Sequence, residues 1–430
     1  MIKVFQYREL PSYKNILEKR KTTNIQLENE VREILNKVRE KGDKYVEEMT
    51  QKFDCPNFSI KDVKVPKQEI EDSLKKIPEQ DIDILKEAIS NVKKFHNYQK
   101  QKSWLEPQGD ELILGQLITP IEKVGLYVPG GKGGTTPLIS TLIMTAVPAK
   151  IAGVKKIVVV TPPSKSGDIN PYILATANLL NVYDIYKIGS AWAIGALAYG
   201  TESIPKVDII VGPGNIYVTI AKKLLIGNTG IDMIAGPSEI VIVADELARE
   251  DFIAADLLSQ AEHDEMACSI LITPSTKLAD KVNEQIKIQL DKLERKEIAQ
   301  KSLSTWGGII IVSDLEKAIE VANDLAPEHL EVHIKNPWEI IPKIKNAGCV
   351  FLGENTPEPV GDYFAGPNHV LPTTSTAKFS SGLSVETFYK KTNFIWASKD
   401  YIKKNSSKIA RLARLEGLDA HAKSAEIRNK

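Results

Sequence analysis

The chain has 430 residues, 42% of them hydrophobic and 26% charged, which suggests a globular protein of two to four domains. Its 56 lysines and arginines balance 56 aspartates and glutamates, so the formal net charge is zero. Because nucleic-acid binding depends on a basic surplus, this balance argues against a nucleic-acid partner.

The first residues, MIKVFQYRELPSYK, contain no apolar run long enough for a signal peptide, and no segment reaches the roughly 18 apolar residues of a membrane span. The three cysteines, Cys55, Cys268 and Cys349, are scattered and form no C-x-x-C motif. Dispersed cysteines in odd number favour a reducing compartment over a disulfide framework. We therefore expect a cytoplasmic protein with no membrane partner.

Amphipathic helices are predicted first along the chain. Residues 12–52 and 66–101 are rich in charge and place apolar side chains at helical spacing, as in Val31, Leu35 and Val38. From about residue 110, short Val/Ile-rich runs alternate with helical patterns. The runs are 112–118, 123–128, 156–160, 207–211, 239–245, 269–273 and 307–312, and the helical patterns are 168–181, 190–200, 216–226, 247–263, 276–296 and 314–325. This alternation is typical of parallel strands covered on both faces, so we predict an α/β fold.

The strand-like runs divide into two blocks, 124–237 and 238–376, which meet near the AGPSE turn. The last fifty residues, from FSSGLSV onward, are basic and weakly periodic. We predict that they form a helical arm that packs on another element or subunit.

Two glycine-rich turns follow strand-like runs, GLYVPGGKGG at 125–134 and IIVGPGN at 209–215. Glycines at such places let backbone N–H groups approach a phosphate or dinucleotide. Neither turn matches G-x-G-x-x-G or a phosphate loop, and a plain tight turn is the alternative.

The segment DLLSQAEHD at 256–264 places Gln260 and His263 on one helix face. Histidine is a common zinc ligand, although by chemistry alone Glu262 or Asp264 would partner it before a glutamine amide does. The alternative is a helix end whose histidine complements the helix dipole.

In APEHLEVHI, His329 and His333 have the spacing of a helical zinc pair, but the alternation of apolar and polar residues predicts a strand. Glu328 beside His329 can divide two proton-transfer tasks, and an exposed acid beside a solvated histidine is the alternative.

The long loop 355–373 offers Asp362 and His369 as ligand or base, or is purely structural. The cysteines adjoin apolar or charged runs and are predicted to pack rather than act as nucleophiles, so water would attack any aldehyde intermediate.

Together, GLYVPGG, GPGN, IDMIAGPSE, DLLSQAEHD, LAPEHLE and NAGCVFLGENTPEPVGDYFAGPNHVLPT, followed by FSSGLSV, resemble histidinol dehydrogenases over nearly the whole chain. The resemblance implies two incomplete Rossmann-like domains of the aldehyde-dehydrogenase kind in a homodimer that shares its active sites. Residues 1–20 would form an N-terminal arm, and 124–237 the dinucleotide-binding domain. The helical region 21–123 would join 238–376 in the domain with the zinc and catalytic residues, and 377–430 would form an exchanged dimerisation arm.

Residue by residue, the resemblance implies that one zinc ion per subunit is held by Gln260, His263 and Asp362, with His421 from the partner subunit. It makes Glu328 and His329 the catalytic pair. Substrate contacts would come from Ser238 and Glu416 together with Gln260, His263, His329, Asp362 and His421. Without the resemblance, Glu416 and His421 would be taken for surface residues.

The implied NAD contacts are Tyr127 and Asn215. A third falls on Trp192, because this chain reads GSAWAI where the family has GGAQAI. That departure replaces an amide with a bulky ring.

The implied function is oxidation of L-histidinol to L-histidine through L-histidinaldehyde with two NAD, the final steps of histidine biosynthesis. His329, with an ordinary pKa near ~6.5, would be neutral enough to take the hydroxyl proton, and Glu328 would activate the water that hydrates the aldehyde. The alternatives are a related dehydrogenase of another small alcohol, such as a sulfonated diol, and a non-catalytic zinc-binding or assembly protein.

Overall fold

Two parallel β-sheets organise the chain. The computed structural model describes residues 2–21, 25–131 and 136–429. The strands are β1 (Lys3–Gln6), β2 (Trp104–Gln108), β3 (Leu112–Pro120), β4 (Lys123–Tyr127), β5 (Lys156–Thr161), β6 (Asp184–Lys187), β7 (Ile209–Val211), β8 (Gly230–Ile231), β9 (Glu239–Ala244), β10 (Cys268–Thr273), β11 (Gly308–Ile311), β12 (His329–His333), β13 (Cys349–Leu352) and β14 (Tyr389–Ala397). The helices are α1 (Leu10–Glu18), α2 (Ile25–Lys41), α3 (Asp43–Phe53), α4 (Lys67–Asp72), α5 (Glu79–Asn97), α6 (Ile139–Ala152), α7 (Pro171–Leu179), α8 (Ser190–Tyr199), α9 (Ile216–Leu224), α10 (Glu250–Ala261), α11 (Thr276–Leu290), α12 (Lys296–Thr305), α13 (Leu315–Leu325), α14 (Lys399–Leu415) and α15 (Asp419–Glu426).

The first sheet has five parallel strands in the order β6-β5-β4-β7-β8. Its strands are runs of valine and isoleucine that bury both faces, as in Ile157–Val160. The chain starts at the central strand β4, adds β5 and β6 on one side, and then crosses to β7 on the other. A crevice for a ligand forms at such a reversal of strand order, at the carboxyl ends of the strands.

The second sheet has six parallel strands in the order β1-β11-β10-β9-β12-β13. Its central strand is β9, with β10 and β11 on one side and β12 and β13 on the other. The first sheet has the same arrangement around β4, with β5 and β6 on one side and β7 and β8 on the other. The change from one sheet to the other falls between Ile231 and Glu239, as predicted at the AGPSE turn. The predicted N-terminal arm 1–20 needs correction, because Lys3–Gln6 pairs with Gly308–Ile311 as an edge strand and buries Ile2 in the core.

The N-terminal helices pack on the five-stranded sheet. Val31, Leu35 and Val46 share a core with Leu197 of α8, and α5 packs with α6 on the opposite face. The predicted grouping of 21–123 with 238–376 stays a prediction, since α2 and α3 pack on the five-stranded sheet whereas α5 also shares a core with Val370. The apolar faces of these helices help to bury the two apolar faces of the five-stranded sheet.

A third, antiparallel sheet has the order β14-β3-β2 and corrects two predictions. The run 112–118 was expected to be a parallel strand, and 389–397 was expected to be helical. Instead, Tyr389–Ala397 pairs over nine residues with Leu112–Pro120, which is only partly buried and can therefore tolerate the charged side chains of its partner. α14 and α15 follow as predicted. Among the described residues, no helix has the length and apolar composition needed to cross a membrane.

Candidate active site and metal centre

Polar side chains line the interface between β12 and α10. Alternation along β12 directs His329, Glu331 and His333 towards one face, and positions four apart on α10 direct Asp256 and Gln260 towards them. All five residues are buried. The predicted strand is confirmed, and the two histidines are not a helical zinc pair.

The chain enters this strand through a sharp turn. α13 ends at Leu325, Ala326 adopts a left-handed φ of 50°, and Pro327 prevents the helix from continuing. Gly348 lies against the backbone of Glu328, the residue after Pro327. A Cβ at position 348 would stand 2.5 Å from the carbonyl oxygen of Glu328. The backbone of Glu328 is thereby held tightly at the amino end of the sheet.

Glu328 and His329 form a buried pair, 7% and 2% exposed, which excludes the alternative of an exposed acid and a solvated histidine. Oε2 of Glu328 accepts a hydrogen bond from the backbone N–H of Glu239 at 3.0 Å and lies 3.9 Å from Nδ1 of His329. Burial raises the pKa of Glu328 to about 7. The carboxyl group can therefore exchange a proton near neutral pH.

For the protein chain alone, the pKa of His329 lies above the ordinary value expected from the sequence. Burial disfavours its charged form, but the charge of Glu328 and the neighbouring Asp362 and Glu358 outweigh burial and raise the pKa of His329 to about 10. Nδ1 of His329 lies 3.0 Å from Oε1 of Gln260. Its Nε2 is directed at Asp362, 3.7 Å from Oδ1, which is beyond hydrogen-bond distance.

Asp362 lies on a π-helical turn, Val360–Ala365, and joins His329 and Glu358 in a group whose ligand atoms are all within 4.8 Å of one another. Burial opposes ionisation of Asp362, but the interaction with His329 is stronger and lowers the pKa of that carboxyl. Desolvation lowers the pKa of His263, and the negative charge of Asp362 opposes this shift. Nδ1 of His369 lies 3.1 Å from the backbone oxygen of Asp362.

The donor atoms around Asp362, which include those of Gln260 and His329, fit a divalent cation. An amide oxygen, imidazole nitrogens and carboxylates are a nitrogen and oxygen donor set suited to zinc. Among the buried atoms of this group, Nε2 of His329 has no hydrogen-bond partner. Buried polar atoms are normally satisfied, so this nitrogen is available to an ion or to a substrate group.

A second polar group lies further along the same interface. Asp256, Glu331 and His333 have ligand atoms within 4.8 Å of one another, and Nε2 of His333 is 3.3 Å from Glu331 and 3.6 Å from Asp256. Burial and the charge of Glu331 raise the pKa of Asp256 to about 8. The backbone N–H of Glu358 donates to Glu331 at 2.7 Å and so connects the two groups.

Sequence reasoning missed Glu358, Asp256 and Glu331. For Glu331 a signal was available, because the alternation in HLEVH places it on the same strand face as His329. Asp256 and Glu358 carried no comparable signal, since each becomes part of the site only when α10 and the 355–373 loop come together on β12.

The remaining predicted substrate contacts lie apart from one another. Ser238 is half-buried just before β9, where its carbonyl accepts a hydrogen bond from Cys268 N–H at 3.0 Å. Glu416 ends α14 and His421 lies on α15, and both are exposed. Within the part of this chain that the structure describes, neither side chain forms a hydrogen bond or ion pair with the group around His329.

The predicted NAD contacts lie near the reversal of strand order in the five-stranded sheet. Tyr127 ends β4, and its hydroxyl accepts a hydrogen bond from Ser190 N–H at 3.1 Å. Asn215 caps α9 by accepting hydrogen bonds from two backbone N–H groups, at 3.1 and 3.2 Å. Gly212 allows the turn after β7 to approach β4, because a Cβ there would lie 2.3 Å from the Tyr127 carbonyl oxygen. The predicted turn 125–134 lies partly outside the described residues.

Trp192 occupies a different environment from an open cofactor contact. It is 4% exposed, its indole N–H donates to Oγ1 of Thr50 at 3.2 Å, and its ring stacks on Phe53 at 5.7 Å between centroids. The ring therefore joins α8 to α3. Its contact with a cofactor stays a prediction.

The cysteines have the character expected of packing residues. All three are free thiols. Burial raises the pKa of Cys268 and of Cys349 to about 11, so both are protonated at neutral pH and poor nucleophiles.

Comparison with known proteins gives one consistent family. The family model for histidinol dehydrogenase matches residues 17–429. The histidinol dehydrogenase of Oleidesulfovibrio alaskensis is 51% identical over 398 residues, covering 93% of this chain and 92% of the relative. That of Listeria monocytogenes serotype 4b is 52% identical over 406 residues, covering 94% of each. The crystal structure of histidinol dehydrogenase from Elizabethkingia anophelis superposes with a TM-score of 0.92 at 38% identity, over 99% of this chain and 98% of that one.

Proposed function

The chain belongs to the histidinol dehydrogenase family, an oxidoreductase family, and from this premise we propose that it oxidises L-histidinol to L-histidine through L-histidinaldehyde with two NAD, the last steps of histidine biosynthesis. The observation that carries the proposal is the buried Glu328–His329 pair beside Gln260 and Asp362. The free thiols agree with a cytoplasmic location.

Gln260, His263 and Asp362, with His421 of the partner subunit, would hold zinc. The nitrogen and oxygen donor set supports this assignment. Zinc, when bound, would supply a positive charge that attracts nitrogen donors of the substrate and offsets the charge of Asp362, which would disfavour protonation of His329.

His329 would then accept the proton of the substrate hydroxyl while the carbinol hydrogen leaves as hydride. NAD, when bound, supplies the hydride acceptor. Glu328 would take a proton from the water that adds to the aldehyde, a task suited to a carboxyl with a pKa of about 7.

The proposed cofactor contacts are Tyr127, Trp192 and Asn215, with 124–237 as the dinucleotide-binding domain. The reversal of strand order between β4 and β7 supports this placement. Ser238 and Glu416 are the proposed further substrate contacts. Residues 238–376 would form the domain that carries the zinc and catalytic groups.

Residues 377–430 are proposed as a dimerisation arm that brings Glu416 and His421 to the partner's site. The arm presents large apolar side chains to solvent, which is typical of a surface that another chain covers. These side chains are Ile395, Trp396, Leu412, Leu415 and Ile427, which are 74%, 52%, 65%, 65% and 62% exposed.

The test of the reaction is a spectrophotometric assay with histidinol and NAD, in which NADH formed per substrate is counted with and without a chelator. We expect about two NADH per histidinol, as a four-electron oxidation requires, and loss of activity on chelation. Turnover of another vicinal alcohol, such as a sulfonated diol, in preference to histidinol would contradict the proposed substrate. No NADH with any alcohol would contradict an enzymatic role.

The test of the shared site mixes the inactive variants His329→Ala and His421→Ala after subunit dissociation. In a mixed dimer, one site combines an intact His329 with an intact His421, so activity should return to about a quarter of wild type. Each variant re-associated with itself is the control. If the mixture stays inactive although the subunits exchange, His421 does not serve the partner.

A further inference from the structure

The side chain of Arg20 ties the N-terminal segment to the turn that carries Ser238. Arg20 follows α1 and is 8% exposed. Its Nε donates to the carbonyl of Met266 at 3.0 Å, and its Nη2 donates to the carbonyls of Pro237 and Ser238 at 3.0 and 3.2 Å. Its Nη1 donates to Oε2 of Glu239 at 2.8 Å. The guanidinium therefore holds two stretches of main chain and one carboxylate at once.

The same turn holds the carboxylate of Glu328. The backbone N–H of Glu239 donates to Oε2 of Glu328 at 3.0 Å. The main chain of Glu328 is fixed separately, since its carbonyl accepts from the N–H of Cys349 at 2.9 Å. Glu239 is thus bound at two points, by Arg20 through its side chain and by Glu328 through its N–H. A shift of the turn moves the donor that orients the Glu328 carboxylate.

We infer that Arg20 is a positioning residue for Glu328. It fixes the turn 237–239 so that the N–H of Glu239 keeps the Glu328 carboxylate next to His329. This inference rests on the proposed function, in which Glu328 activates water. Arg20 acts through the turn 237–239, because none of its own hydrogen bonds reaches the catalytic pair.

The geometry requires arginine rather than any cation. A planar guanidinium presents donors in fixed directions and can bond a carboxylate on one edge and carbonyls on another, whereas an ammonium is a point charge. The ion pair is also shielded from water, with side-chain exposures of 3% for Arg20 and 12% for Glu239. Lysine at position 20 would keep the charge but lose the simultaneous contacts.

The test is a double-mutant cycle with Arg20→Lys and Glu328→Gln. In the otherwise native enzyme, Arg20→Lys should lower kcat for histidinol by ~10- to 100-fold, as expected when a catalytic group is misplaced. In the Glu328→Gln background, the same change should cost less than about 2-fold, because the carboxylate that Arg20 positions is already replaced. Circular dichroism establishes that each variant is folded.

The matched control is Lys14→Ala. Lys14 lies on the same N-terminal segment and pairs with the partly exposed Asp324 rather than with the turn 237–239, so kcat should change by less than about 2-fold. If Arg20→Lys does not fold, Glu239→Gln replaces it in the cycle, with the same non-additive result expected.

Two outcomes count against the inference and are distinguishable. Equal losses from Arg20→Lys in both backgrounds, with an active wild type, overturn the role of Arg20 alone. A wild-type protein that does not oxidise histidinol overturns the proposed function and this inference together.

Discussion

The two parallel sheets repeat one strand order but bury different chemistry. On the five-stranded sheet, α8 buries Trp192, Ile194 and Leu197, which serve packing. On the six-stranded sheet, α10 buries Asp256 and Gln260 against a strand that carries two histidines and a glutamate. Burying such groups costs free energy unless they are paired, so folding alone does not account for them. Because the two sheets share one strand order, the sheet whose helix buries polar rather than apolar side chains indicates where the catalytic groups lie.

The largest effect should follow from removing the catalytic histidine of the six-stranded sheet. We expect His329→Ala to lower kcat by ~10²–10⁴-fold, the usual contribution of proton transfer. Histidinol binding, measured by titration calorimetry with the metal-loaded enzyme, should largely survive. Equal losses of binding and turnover would mean that His329 supports the structure of the site rather than the reaction.

A smaller effect should follow from Glu358→Gln, which alters the polar cluster but leaves His329 in place. Outer groups around metal sites typically contribute 10- to 100-fold to activity, so kcat should fall by ~10-fold or more. The pKa of His329 should fall as well, because the charge of Glu358 contributes to raising it. Proton NMR of the imidazole measures this shift in the metal-free protein. An unchanged kcat and pKa would remove Glu358 from the site.

On the five-stranded sheet, Trp192→Gln should affect stability more than turnover. The variant loses the stacking on Phe53 and the packing between α8 and α3, at a cost of about 2–4 kcal/mol in the free energy of unfolding. Saturating NAD should keep kcat within about 3-fold of wild type. Denaturant unfolding and steady-state kinetics measure the two quantities. A raised KM for NAD without a loss of stability would instead support the proposed cofactor contact of Trp192 and contradict its packing role.

The smallest effect should come from Asp54→Asn, next to the same packing region. Burial raises the pKa of Asp54 from 3.8 to about 6, and one of its carboxylate oxygens is buried without a partner. The folded state therefore binds the proton more tightly than the unfolded state, so stability falls as pH rises from about 4 through 6. Asparagine should raise the melting temperature at pH 8 by ~1–2 °C and leave it unchanged at pH 4. An equal shift at both pH values would exclude this linkage.

The sequence predicted most of the α/β framework because its signals are local. Runs such as KIVVV and EIVIVAD form buried parallel strands, and most of the helical patterns between them end within a few residues of the observed helices. The pattern 276–296 is the exception, because α11 already ends at Leu290. β14 was missed because KKTNFIWA is charged and its partner, β3, is remote in sequence. Pairing of this kind depends on long-range contacts that periodicity does not report.

The site was predicted only in part, because some of its features also depend on long-range contacts. Motifs identified Gln260, Glu328, His329 and Asp362, and the structure brings these four together. Glu358 and the raised pKa of His329 depend on how a loop, a helix and a strand meet in three dimensions, which no sequence window contains. Arg20 is a further example, since its partners lie more than two hundred residues away.

The most direct test of the metal centre is anomalous diffraction at the zinc edge from crystals of the zinc-loaded protein. We predict one peak per chain, about 2.0–2.3 Å from the donor atoms of Gln260, His263 and Asp362, with His421 contributed by a neighbouring subunit. A peak between Asp256, Glu331 and His333, or none within the reach of Asp362, would contradict this assignment of the zinc site.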